Sequence, residues 1–83
     1  MITKSVRLYL PDGMEARRIA ELVQLAGNYE SKIYIEAGDR KVNAKSIMGM
    51  MSLELPENGV ILVEADGEDE ENVMQGIEEF CKG

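Results

Sequence analysis

The fold is decided by residues 2–27, which read ITKSVRLYLPDGMEARRIAELVQLAG. In residues 2–10 the apolar side chains alternate with polar ones, and this spacing predicts a β-strand with one apolar face. Proline, aspartate and glycine at positions 11–13 predict a turn. From residue 16 to about residue 27 the apolar side chains recur every three or four positions, which predicts an amphipathic helix. The chain therefore begins with a strand that leads through a turn into a helix.

The middle of the chain predicts a hairpin and a short helix. Isoleucines alternate with more polar residues over positions 32–36, which predicts a second strand. The Gly-Asp pair at positions 38–39 predicts a turn into a short third strand near residues 40–43. Ser46 precedes a short apolar segment that ends at Leu53. We expect a brief helix there, with Ser46 near its N-cap.

The last part of the chain predicts one more strand and one more helix. The β-branched run 60–65 predicts a strand that is apolar on both faces because it is well buried. Val73, Ile77 and Phe80 indicate a final helix, and the acidic residues 68–71 are expected to form its solvated first turn, where carboxylates suit the helix dipole. The order βαββαβα predicts an α+β fold with three helices on one face of a four-stranded sheet.

The composition indicates a small domain that lacks imidazole chemistry. We expect one domain over residues 1–83, and no apolar run approaches the roughly 20 residues that span a bilayer. A cytoplasmic protein without membrane binding is therefore expected. The absence of histidine excludes a histidine base, a phosphohistidine and a histidine metal ligand. The single cysteine, Cys81, is expected to be a buried spare thiol, and no metal, cofactor or enzymatic activity is predicted.

The net charge of −7 is unevenly distributed along the chain. Residues 1–45 carry a small net positive charge, whereas residues 46–83 carry a large net negative charge. Direct binding to nucleic acids is not expected, because it requires Lys and Arg to neutralise phosphates. A local basic patch is open as an alternative if the fold brings together Arg17, Arg18, Arg40, Lys41 and Lys45.

Three separated segments of the chain resemble HPr, the small phosphocarrier of the bacterial phosphoenolpyruvate:sugar phosphotransferase system. They are DGMEAR at 12–17, NAKSIMG at 43–49 continued by MSL at 51–53, and GEDE at 67–70. The resemblance covers essentially the whole chain. The segment 45–53 is similar to the regulatory serine site of HPr proteins from Gram-positive bacteria and of their catabolite-repression paralogue. This likeness implies an open-faced β-sandwich whose antiparallel strands have the order 1-4-2-3.

Glu15 occupies the position where the resemblance implies the family's phosphocarrying histidine, while Arg17 is kept and Arg18 replaces the usual proline. A carboxylate can form an acyl phosphate, but aspartyl-phosphate sites usually use a divalent metal, so ordinary phosphotransfer is expected to be lost. Two interpretations of Glu15 remain open. Either it interacts with the helix dipole and pairs loosely with Arg17 or Arg18, or its permanent charge partly imitates a phosphohistidine. The two arginines are either solvated helix residues or part of a recognition surface.

Ser46 is the residue on which the resemblance puts regulation. As a plain N-cap it would stabilise the short helix by about 1 kcal/mol. In the related proteins the matching serine is phosphorylated by an ATP-dependent kinase/phosphatase, and the phosphorylated form binds a transcriptional regulator. The helix dipole and free N–H groups favour a phosphate at this end. We therefore expect a change of surface charge without a change of fold, with Lys45 partly screening the phosphate.

Methionines beside Ser46 predict a docking surface. A short helix cannot bury Met48, Met50 and Met51 together, and exposed methionine is adaptable at binding surfaces. We expect Met50 to belong to the core. The residues expected to contact partners are Met14, Glu15, Arg17, Arg18, Lys45, Ile47, Met48 and Met51.

The sequence thus predicts a non-catalytic, HPr-like regulatory protein of carbon catabolite control that binds other proteins and is controlled at Ser46. The partners implied by the resemblance are an HPr kinase/phosphatase, a transcriptional regulator and enzyme I. Two alternatives remain open. One is a phosphotransfer component that acts through Glu15 or serves as a decoy for enzyme I, and the other is a scaffold recruited for an unrelated interaction.

Overall fold

A computed structural model describes all residues, 1–83. Its elements, in chain order, are β1 Ile2–Arg7, α1 Glu15–Ala26, β2 Lys32–Ala37, β3 Arg40–Asn43, α2 Ile47–Met51, β4 Val60–Asp66 and α3 Glu70–Cys81. The predicted order βαββαβα is confirmed. None of the three helices combines the length and apolar character that a bilayer-spanning helix requires.

The first strand is shorter than predicted. It ends at Arg7 rather than at residue 10, because the next two backbone N–H groups bond outside the ladder. The N–H of Leu8 donates to Gly59 O at 2.9 Å, and the N–H of Tyr9 donates to Cys81 O at 2.9 Å. The chain therefore bends towards the end of α3 before it enters α1.

The sheet has the strand order β1-β4-β2-β3, and every neighbouring pair is antiparallel. This confirms the order 1-4-2-3 that the resemblance implied. The last strand in the sequence lies between the first and the second, where it pairs Ile61 with Val6 and Val63 with Ile35. Both edges of the sheet are therefore formed by other strands, β1 and β3.

The helices pack on one face of the sheet and enclose a single core. Ile33, Ile35 and Val63 contribute the sheet side of this core, and Leu22 and Ile77 contribute the helix side. All five are at most 1% exposed. The predicted amphipathic helices are thus anchored through the residues that recur at helical spacing.

The opposite face of the sheet is not covered by any helix, so the prediction that β4 is buried on both faces is wrong. Val60 is exposed, and Leu62 and Glu64 are half-buried on that face. Lys41 pairs with Glu64 at 3.1 Å across the sheet. The β-branched run reflects the central position of β4, where neighbouring side chains cover its outer face only in part.

The sequence predicts that the acidic start of α3 is simply exposed to solvent. The structure shows instead that an acidic side chain there makes specific hydrogen bonds. The carboxylate of Asp69 accepts hydrogen bonds from the N–H groups of Glu30 at 2.8 Å and Ser31 at 3.0 Å, and from the hydroxyl of Ser31. These bonds, the hydroxyl contact first, lower the pKa of Asp69 below its usual value. Ser31 is a buried polar residue, and its partner lies 38 residues away in the sequence. The loop before β2 is therefore fastened to α3.

Candidate functional site

The N-terminus of α1 presents Glu15 without a partner inside the chain. The helix begins at Glu15, and Met14 before it makes no side-chain capping hydrogen bond. None of the ion pairs in the structure includes Glu15, so the loose pairing with Arg17 or Arg18 that one of the two interpretations of Glu15 included is not formed. Arg17 instead pairs with Glu21 at 3.8 Å, because residues four apart face each other on a helix.

Arg18 is engaged inside the molecule, which the sequence did not indicate. Its Nε donates to Tyr9 O at 3.1 Å and its Nη2 donates to Phe80 O at 2.8 Å. The centre of the guanidinium lies 4.1 Å from the centroid of the Phe80 ring. The interpretation of Arg18 as a solvated helix residue is therefore wrong. The arginine joins the loop after β1 to the end of α3.

An open depression of about 380 Å³ lies beside this helix terminus. The residues that line it include Tyr9, Met14, Arg17 and Gly83. Since Arg18 is occupied by backbone carbonyls, Arg17 is the cation here that remains largely exposed to solvent. The structure thus places Met14 and Arg17 together at this depression, whereas Glu15 is exposed at the start of α1 but does not line it.

Ser46 caps α2, as predicted. Its backbone is extended, with φ −101° and ψ 112°, and its Oγ accepts a hydrogen bond from the N–H of Gly49 at 3.2 Å. A Cβ atom on Gly49 would lie 3.4 Å from that same Oγ, so the helix turn fits closely around the serine. The half-buried hydroxyl is held at the point where α2 begins.

The residues that follow Ser46 form an exposed apolar surface, here called the methionine patch and defined as Ile47, Met48 and Met51. Their exposed fractions are 44%, 83% and 43%. Met50 on the same helix is only 2% exposed, which confirms its predicted place in the core. The acidic residues of the chain avoid this segment, since none lies between Asp39 and Glu54. The patch is therefore an uncharged surface on an acidic protein.

Lys45 is tied to the loop after α1. Its Nζ donates to Tyr29 O at 2.7 Å, and its backbone N–H donates to the side-chain oxygen of Asn43 at 2.8 Å. Asn43 and Tyr29 were not singled out from the sequence, and the only signal for Asn43 was its position two residues before Lys45 in a turn. The predicted screening of a phosphate by Lys45 would compete with its bond to Tyr29.

The basic residues do not form one patch. Lys41 lies on the uncovered face of the sheet, where its Nζ is 5.2 Å from the Tyr34 ring. Arg18 packs in the helix layer on the other face. The alternative of a patch that gathers all five basic residues is therefore wrong, because Lys41 and Arg18 lie on opposite faces of the sheet.

Cys81 is buried, as predicted, and carries no reactive thiolate. It is 3% exposed, and burial raises the pKa of its thiol to about 11. The thiol is therefore protonated near neutral pH.

A family model described as the PTS HPr component phosphorylation site matches residues 2–82. The chain belongs to the HPr family. It is 41% identical to the HPr-like protein Crh of Halalkalibacterium halodurans, over 99% of this chain and 98% of that protein. The relatives also include phosphocarrier proteins HPr, such as that of Xylella fastidiosa, which is 45% identical over 82% of this chain and 76% of that protein.

Two solved structures share the fold. The phosphocarrier protein HPr of Bacillus anthracis superposes with a TM-score of 0.87 and 35% identity, over 96% of this chain and 95% of the other. Crh, the catabolite repression HPr of Bacillus subtilis, superposes with a TM-score of 0.64 and 37% identity, over 96% and 95%. This protein is therefore an HPr-like protein related to the sugar phosphotransferase system, with a relative that is linked to catabolite repression.

Proposed function

We propose that this protein is a non-catalytic regulatory member of the HPr family that docks onto other proteins and is controlled by phosphorylation of Ser46. The observation that carries the proposal is the position of the Ser46 hydroxyl, which caps α2 directly beside the exposed methionine patch. The chain also lacks any histidine that could carry a phosphoryl group. The docking surface already exists in the folded chain, so regulation needs only a residue beside it to which charge can be added. Ser46 is in that position.

A phosphate on Ser46 fits the local physics. It would add roughly −1.5 to −2 charges at a helix N-terminus, where the dipole and the first N–H groups favour an anion. The N–H of Gly49 already points at Ser46 Oγ and is available to a phosphate oxygen. No acidic side chain follows in the first turn of α2, so no local carboxylate opposes the added charge. The new charge would border the methionine patch and change which proteins can cover it.

Glu15 takes the place of the phosphocarrying histidine in this proposal. Its carboxylate lies at the N-terminus of α1 with no ion-pair partner, which supports a surface role for its charge. Met14 and Arg17 line the depression beside the same helix terminus. We propose that these three residues, with Lys45 and the methionine patch, contact the partners, which are an HPr kinase/phosphatase and a transcriptional regulator.

The direct test is incubation with an HPr kinase/phosphatase and ATP, followed by peptide mass spectrometry. Phosphate is expected on Ser46 and not on Ser52, which lies at the other end of α2 with its hydroxyl donating to Gly49 O at 2.7 Å. Ser46→Ala should accept no phosphate. Failure to label Ser46 with a kinase that labels an HPr protein in parallel would contradict the proposal.

The alternative of phosphotransfer through Glu15 is separated by a second assay. Enzyme I and labelled phosphoenolpyruvate should leave no stable label on the chain. An acyl phosphate would give a label that hydroxylamine removes and that Glu15→Gln abolishes. Such a label, passed on to a sugar-specific component, would replace the regulatory proposal by a phosphocarrier function.

A further inference from the structure

The methionines of this chain fall into two groups that differ sharply in accessibility. The exposed ones are Met48 at 83%, Met1 at 72%, Met51 at 43% and Met14 at 37%. Met50 and Met74 are buried, at 2% and 5%. Two of the four exposed thioethers thus lie in the methionine patch, next to the hydroxyl of Ser46.

Other side chains that oxidants attack readily are absent or protected. The chain has no histidine and no tryptophan. Its single thiol, Cys81, is buried and is not ionised near neutral pH, since its pKa is raised to about 11. Two-electron oxidants therefore meet exposed thioethers first.

From this distribution we infer that Met48 and Met51 form an oxidation site that closes the methionine patch to the kinase that modifies Ser46. The inference rests on the proposed function. The kinase is the relevant occupant because its active site must reach Ser46 Oγ, and Ile47 and Met48 follow that residue directly in α2. An enzyme that reaches the hydroxyl therefore covers part of the patch.

The chemistry requires a peroxide or hypohalous oxidant. With hydrogen peroxide, the thioether sulfur attacks one peroxide oxygen, the O–O bond breaks, an S–O bond forms, and the second oxygen leaves as water after proton transfer. The sulfur is oxidised by two electrons and the peroxide is reduced by two. Methionine sulfoxide reductases reverse the change with electrons from a thiol reductant.

A sulfoxide on the patch changes docking without changing the fold. The S–O group is a strong hydrogen-bond acceptor, and covering it with an apolar partner surface leaves it without a donor. Because Met50 and Met74 are buried, the residues that hold the core keep their thioethers. The oxidised chain should therefore be folded but poorly phosphorylated.

The first experiment maps oxidation in the intact chain by peptide mass spectrometry over a time course with hydrogen peroxide. Met48 should gain oxygen at least about 10-fold faster than Met50 and Met74, while circular dichroism remains unchanged. Equal rates at buried and exposed methionines, or loss of the folded signal, would overturn the inference.

The second experiment compares kcat/KM for Ser46 phosphorylation before and after peroxide treatment. Treatment should lower it about 10-fold in the wild-type chain, and methionine sulfoxide reductase should restore it. A Met14→Leu chain, which keeps the patch, should still lose rate about 10-fold on treatment, whereas a Met14→Leu/Met48→Leu/Met51→Leu chain, whatever its own starting rate, should show a treated-to-untreated ratio near one although Met1 is still oxidised. This control separates the patch from exposed methionines elsewhere.

The outcomes distinguish this inference from the function on which it rests. Efficient phosphorylation of Ser46 that peroxide does not alter would overturn the oxidation site and leave the proposed function intact. An equal loss of rate in the chain that lacks both Met48 and Met51 would also overturn the oxidation site, because the effect would then arise outside the patch. If the untreated chain is not phosphorylated at all, both the oxidation site and the proposed function are contradicted.

Discussion

The N-terminus of α1 has no side-chain cap, whereas that of α2 is capped by the hydroxyl of Ser46. At α1 the second arginine, Arg18, is bonded to two backbone carbonyls, so the charges that remain exposed there are those of Glu15 and Arg17. At α2 the hydroxyl that we propose as the phosphorylation site lies beside exposed apolar side chains. The two helix termini thus resemble each other in electrostatics but differ in chemistry. The terminus of α1 carries fixed charges, whereas that of α2 carries a hydroxyl to which phosphorylation would add charge.

The largest effect on stability is expected from Arg18. Arg18→Gln removes two hydrogen bonds to Tyr9 O and Phe80 O and the contact with the Phe80 ring, and should lower the free energy of unfolding by about 1–3 kcal/mol. Arg17→Gln, which loses only an exposed ion pair, should cost at most about 0.5 kcal/mol. Urea denaturation measures both. Equal costs would mean that Arg18 does not fasten α1 to the end of α3.

The second prediction concerns the methionine patch. Met48→Glu places a charge on a surface that the kinase must cover, and should lower kcat/KM for Ser46 phosphorylation about 10-fold, equivalent to about 1.4 kcal/mol. Gln75→Glu adds the same charge on an exposed face of α3 and should leave the rate unchanged. An equal loss in both variants would trace the effect to net charge rather than to the patch.

The two helix termini can also be compared directly by stability. Ser46→Ala removes the cap of α2 and should cost about 1 kcal/mol. Glu15→Gln removes a carboxylate that interacts only with the dipole of α1, and about 0.3–1 kcal/mol is expected. Thermal unfolding of both variants against wild type tests this order. A larger cost at Glu15 would reveal a partner for its carboxylate.

The smallest effect is expected at a third terminus, that of α3, as a loss of stability when the pH falls into the acid range. The pKa of Asp69 is lowered in the folded chain, so its stabilising contribution is present above the unfolded pKa and is lost as the pH falls through the folded pKa. NMR titration should show the pKa of Asp69 below its usual value and, in Ser31→Ala, closer to it. An unchanged pKa in that variant would exclude the hydroxyl as the main cause.

Local patterns in the sequence were sufficient for the elements and for the cap of α2. Ser46 and the apolar run that follows it lie within a few residues of one another. Helix capping preferences depend on residues at this short separation. The bonds of Arg18 to Phe80 and of Ser31 to Asp69 join residues 62 and 38 positions apart, and nothing in the spacing of either residue indicates its partner. The prediction that both faces of β4 are buried failed for a similar reason. An apolar run in the sequence does not show whether a layer of helices covers each face of the sheet.

The place of β4 between β1 and β2 has a consequence for biosynthesis. While the ribosome is still translating the first 59 residues, the earliest strand has no neighbour in the sheet, because its partner at Val60–Asp66 has not been made. Ile33 and Ile35 of β2 also lack their partners in β4 until that strand has been synthesised, so we expect their apolar side chains to be exposed to water or to a chaperone until then. The complete sheet is therefore expected to form only after β4 has left the exit tunnel.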